Sequence, residues 1–200
     1  TIADANAVAS VFVNTNLAAA GGLLAALVVA RILFGKADLT MILNGALAGL
    51  VGITPACAYV GVGGALAIGL LCGVFCYLSV TVLKRRFGYD DSLDVFGLHG
   101  IGGMIGAVLT GVFCVPSLGG LVEGVSMGAQ VVAQIKGVLL TTVYCFAISW
   151  IILKVINAVI GLRSNFKRQV FSSATQYECG AGRLMVGVAL LGSYAKVADR

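Results

Sequence analysis

Apolar residues along this chain come in long, nearly unbroken runs, separated by short stretches that hold most of the charge. Five runs approach or exceed the roughly 20 residues needed to cross a bilayer as a helix, at about 8–31, 39–60, 61–84, 92–114 and 129–162. The runs are continuous rather than alternating, so of the two architectures that satisfy every backbone group in lipid they predict helices rather than a barrel. The fold class is therefore all-α and polytopic. The second and third spans join through a tight "YVGVGG" turn, and Pro55 inside the second predicts a kink or local unwinding. The fifth run is longer than a crossing requires and should tilt or project beyond the bilayer.

Composition agrees with this pattern. The chain is 60% hydrophobic and 10% charged, against about 45–50% and about 25% in soluble domains. The net charge of +5 would point to nucleic acid in a soluble protein. Here its distribution excludes that partner. Arg31 and Lys36 follow span one, Lys84, Arg85 and Arg86 follow span three, and Arg163, Lys167 and Arg168 follow span five. The other connections, "AYVGVGG" and residues 115–128, contain no Lys or Arg. The positive-inside rule places the first set in the cytoplasm and the N-terminus outside. Lys136 and Lys154, within the last run, read as cations that snorkel to the interface.

No basic n-region precedes an apolar core, so no signal peptide is expected. A chain that opens on Thr1 and enters a span at once looks like a fragment or a trimmed chain. Residues 164–200 form a cytoplasmic tail of different composition, whose apolar piece "LMVGVALLGSY" is too short to span. The six cysteines show no metal-binding spacing and read as packing residues. Gly45-x-x-x-Gly49 and Gly69-x-x-x-Gly73 are small-xxx-small patterns that let helices approach closely, and ordinary helix packing accounts for them.

The only histidine, His99, lies in "YDDSLDVFGLHGIGGMIGAVLTGVF". On a regular helix Val95, Phe96, His99, Gly103 and Gly106 share a face. Asp91 or Ser92 serves as N-cap, with carboxylates suited to the helix dipole, and Asp94 reads as a structural cap. An intramembrane ionisable group is either functional or a packing residue hydrogen-bonded to a neighbouring helix. Nothing pairs a nucleophile with a base, so no enzyme, metal or cofactor is expected.

The same segment resembles the signature of the Amt/MEP/Rh ammonium transporter family. So do "FVNTNLAAA", "NGALAGLVGITPACAYVGVGGA", "LGGLVEGVSMGAQ" and "IGLR", in the family's order over roughly residues 8–163. The resemblance is to the bacterial and plant Amt type. It implies the last five helices of an eleven-helix fold built from two inverted halves, assembled as a homotrimer in the plasma membrane with a pore in each subunit. His99 then matches the second of two stacked pore histidines, the first belonging to the half not present here. The recruiting aromatics and the phenylalanine gate are likewise unmatched. Leu47 and Val95 match apolar pore-lining positions, Thr54 sits beside another, Asp94 matches a structural acid, and Asp91 stands near it at the helix start. The implied activity is transport of ammonium or ammonia across the bilayer. The family's regulatory C-terminal pattern is not matched after Arg163, which argues against a PII-type partner for this tail. A sensor without transport of its own, or a partial product on the same scaffold, is the rival reading.

Overall fold

A computed structural model describes residues 5–36, 38–89 and 91–160, with side chains from Val8 onward. The described residues are all-helical. They form α1 (Ala5–Phe34), α2 (Leu39–Ile53), α3 (Val62–Phe87), α4 (Phe96–Phe113) and α5 (Met127–Val159). By length and apolarity α1, α3, α4 and α5 are each able to cross a membrane. The tail predicted over 164–200, with Cys179, lies outside the described residues.

α2 corrects the expected 39–60 span. It has 15 residues, about 22 Å at the α-helical rise, short of a hydrocarbon core about 30 Å thick. Pro55 is the cause. It has no N–H to offer and its ring collides with the carbonyl four residues back. Of the two expected outcomes, a kink or local unwinding, the chain unwinds: the helix ends at Ile53, and residues 54–60 continue as turns and a bend. Irregular backbone at membrane depth survives only where the protein buries it. Here Asn14 of α1, 2% exposed, donates its Nδ2 to the carbonyls of Cys57 and Val60 at 2.9 and 2.8 Å. Ala56 and Val60 are wholly buried around it.

Two units make up the chain, divided between Val143 and Tyr144. In the first, α1 lies against both α2 and α3, and the two small-xxx-small pairs explain how. A Cβ on Gly49 or on Gly69 would fall on the Ala18 carbonyl oxygen, while Cβ atoms at Gly45 and Gly73 would meet the Gly22 carbonyl. Two glycine pairs on different helices thus accept the backbone of the same two turns of α1. These patterns serve packing within the chain, as expected. Ala18, Ile53, Ala65, Ile68 and Cys72 form the core beside that contact. The buried thiols Cys72 and Cys76 point to the carbonyls of Gly102 and Leu98 across the interface with α4, at 3.9 and 3.7 Å, which fits packing residues.

Departures from regular α-helix occur in two places. Ser79–Leu83 of α3 and Phe96–Gly100 of α4 are π-helical turns. They pack together: a Cβ on Gly97 would sit 2.7 Å from Val80 Cγ2. After α4, the Pro116–Leu118 turn brings the Leu121 N–H to the Tyr59 carbonyl at 3.0 Å, closing the segment over the α2–α3 connection. In the second unit, Lys154 has an aromatic neighbour. Its ammonium lies over the Trp150 ring, one helical turn back, 5.5 Å from the centroid, within cation–π range.

Candidate functional site: an intramembrane cleft at His99

An open cleft of about 530 Å³ runs between α2 and α4, lined by Leu50, Val51, Thr54, Pro55, His99, Gly103 and Ala107. Each wall follows from its helix. Leu50 on α2 and Thr54, which caps its C-terminal end in helical conformation, are one turn apart and face the same side. On α4, Gly103 and Ala107 are likewise one turn apart. A Cβ at Gly103 would meet nothing within 4 Å, so the wall stands back there and leaves room beside the imidazole. Gly106 corrects the expected face. It lies against the Gly52 carbonyl and is buried at the contact with α2, so it seats the helix rather than opening the cleft.

Thr54 and His99 supply the only side-chain polar atoms of the lining. The Thr54 hydroxyl donates to the Leu50 carbonyl at 2.8 Å and keeps acceptor capacity on its oxygen. His99 is exposed to the cleft. Among the described residues neither ring nitrogen has a hydrogen-bond partner.

The structure brings His99 and Thr54 together. Leu47 and Val95 lie outside the lining, 37% and 50% exposed on the helices that form it. Asp91 and Asp94 stand at the start of α4. The Asp91 carboxylate accepts from the N–H groups of Val95 and Phe96, both at 2.9 Å, and so satisfies helix-start donors from outside the N-cap position, which Val95 occupies. Asp94 is ion-paired to Lys84 Nζ at 2.6 Å. Leu50, Val51 and Ala107 escaped the sequence reading because apolar residues in apolar helices carry no contrast. The one-turn spacings Leu50–Thr54 and Gly103–Ala107 were the available signal.

Four bilayer-length apolar helices, buried irregular backbone and a lateral cleft with one imidazole define a polytopic α-helical membrane protein with a solute-sized opening. The family model described as Ammonium Transporter Family matches residues 1–178. An ammonium transporter from Aquifex aeolicus is 44% identical over 153 residues, which is 76% of this chain and 36% of that protein. One from Bacillus subtilis is 38% identical over 156 residues, 76% of this chain and 39% of its own length. Among solved structures, a delta442 mutant of Mep2 from Candida albicans aligns with TM-score 0.69 and 35% identity over 77% of this chain and 40% of its own. A structure titled Sensor Amt Protein aligns with TM-score 0.73 and 28% identity over 80% of this chain and 39% of its own. The chain belongs to the ammonium transporter family, and it spans about two-fifths of the length of the relatives it matches.

Proposed function

We propose that this chain forms one wall of an ammonium-conducting pore and that His99 is the group in it that handles the substrate. The observation that carries the reading is the lone imidazole that faces an otherwise apolar cleft. Burying an unpaired ion in a low-dielectric medium costs tens of kcal/mol by the idealised estimate. Removing a proton from an amine whose pKa lies about two units above ambient pH costs only about 3 kcal/mol. Deprotonation at the mouth is the cheaper way past an apolar stretch. A neutral imidazole has one donor and one acceptor nitrogen, so it can hydrogen-bond ammonia and pass a proton on. Leu47 and Val95 would narrow the approach against hydrated ions, and Thr54 would offer a second polar contact. Asp91 and Asp94 hold the helix that carries the imidazole. The resident membrane would be the plasma membrane and the assembly a homotrimer, with a PII-type regulator not favoured by this tail.

The test is flux in reconstituted vesicles. The 200 residues alone should give none, because the cleft is open on one side. The complete protein should give saturable ammonium uptake. Uptake by the isolated chain, or none by the complete protein, would overturn the proposal. The second outcome would favour the rival reading, a sensor without transport, which the likeness to a Sensor Amt Protein supports.

Orientation is part of the same proposal, with the α1–α2 connection inside and the loop after α4 outside. In a cysteine-free background, Ser117→Cys should react with an impermeant thiol reagent added to intact cells, and Lys36→Cys only after permeabilisation. The opposite pattern would reverse the topology.

A further inference from the structure

We propose that Lys84 is a positioning residue for His99: it ties the end of α3 to the start of α4 and thereby holds the π-turn that carries the imidazole. The inference rests on the reading of His99 as the working group of the cleft.

Lys84 follows α3's own π-turn. Its ammonium donates to Asp94 Oδ1 at 2.6 Å and also to the Asp91 carbonyl. Both acceptors belong to the five residues leading into α4. Asp94 has φ 55°, the only positive φ on a residue other than glycine among the described residues. Asp reaches that region more readily than most residues, but at some cost, and it stays there when its surroundings hold it. The Leu98 N–H bonds the Asp94 carbonyl at 2.9 Å, and the Asp91 carboxylate takes the N–H groups of Val95 and Phe96. The start of α4 is thus gathered onto one cation from another helix.

What that cation holds is the π-turn Phe96–Gly100, with His99 inside it. A π-turn carries one residue more than an α-turn and is found mostly at functional sites. Converting it to α would swing the residues before it about 100° around the helix. The rest of α4 cannot follow, because Gly106 sits on the Gly52 carbonyl. Nor can Gly97 and Leu98, which pack against Val80 with Leu98 only 3% exposed. The readjustment would therefore fall on the turn that aims His99. The neighbouring cations Arg85 and Arg86 are exposed, as residues that only mark the cytoplasmic side should be. The side chains of Lys84 and Asp94 are 29% and 17% exposed.

The test uses the complete protein, with ammonium flux per assembled molecule, the half-saturating concentration and the melting temperature measured together. Lys84→Met should lower maximal flux about tenfold to a hundredfold, the upper figure being the loss from misplacing a working group by an ångström, with half-saturation and melting little changed. Lys84→Arg, which keeps a cation able to reach both oxygens, should recover most of the flux. Arg86→Met removes the same charge from the same end of α3 and should behave as wild type. Equal effects of Lys84→Met and Arg86→Met, or a loss that only follows assembly yield, would overturn the positioning role. His99→Ala separates the two readings: if it is silent, the working role of His99 fails. In that case a structure of Lys84→Met still decides the tie, since an unaltered π-turn overturns it and a relaxed one supports it.

Discussion

His99→Ala, in the complete protein, is expected to leave expression, assembly and melting temperature close to wild type while ammonium flux falls by about tenfold or more. The structural half of that expectation follows from surroundings. The imidazole is exposed to the cleft, has no protein partner among the described residues, and stands beside the open space at Gly103. Among the described residues, removing it leaves no buried polar group stranded and no collapsed core. The functional half follows from chemistry. The cleft offers only Thr54 besides His99 for a side-chain hydrogen bond, and a neutral hydrogen bond is worth roughly 0.5–1.5 kcal/mol, up to about one decade of rate, to which loss of the proton relay adds. Selectivity should move as well. An ion desolvated at this depth meets one polar contact fewer, and any proton relay through the imidazole is lost. The measurement is ammonium flux and potassium competition per assembled molecule, wild type against His99→Ala. Unchanged flux with unchanged competition would leave His99 a packing residue and remove the basis of the proposed function.

The sequence made the existence of the helices legible, because apolar runs in lipid leave few other structures open. What it could not display was where regular helix gives way. Pro55 signalled an interruption, yet whether α2 kinks or stops depends on whether something satisfies the carbonyls of the irregular segment that follows it. That something is Asn14, which lies 43 and 46 positions from the residues it serves. The two π-turns are equally silent, since hydropathy has no register of its own. Gly106 was misplaced on the cleft face for that reason, by counting along a regular helix that is not regular at Phe96–Gly100. The small-xxx-small pairs announced close packing but not their common partner on α1. His99 stood out because it is the only imidazole in the chain. Lys84 was legible as a topology marker only, and its bonds to Asp91 and Asp94 appear once two helix ends are brought together.

Gly49→Ala is expected to destabilise the first unit more than any other single-methyl change in α2, and Gly49→Val to prevent its folding. The argument rests on what the new atom would strike. A Cβ at Gly49 falls on the carbonyl oxygen of Ala18, and Ala18 is wholly buried. A flexible side chain could move aside, but this obstacle is backbone in the middle of a 30-residue helix. On the other side Gly69 of α3 holds the same carbonyl at comparably close range. α1 can retreat from α2 only by driving into α3, so the clash is relieved by separating helices. Overpacking in a well-filled core typically costs about 1–3 kcal/mol, and two rigid walls place this site at or above the upper end. Gly63, at the start of α3, supplies the contrast. Nothing lies within 4 Å of a Cβ built there, and Ala in place of a helical Gly gains roughly 0.5–1 kcal/mol. Gly63→Ala should therefore melt at or slightly above wild type, while Gly49→Ala melts clearly below it, both read as the loss of monodisperse protein in mild detergent on heating. Equal melting of the two variants would show that α1 is not clamped between the glycines of α2 and α3.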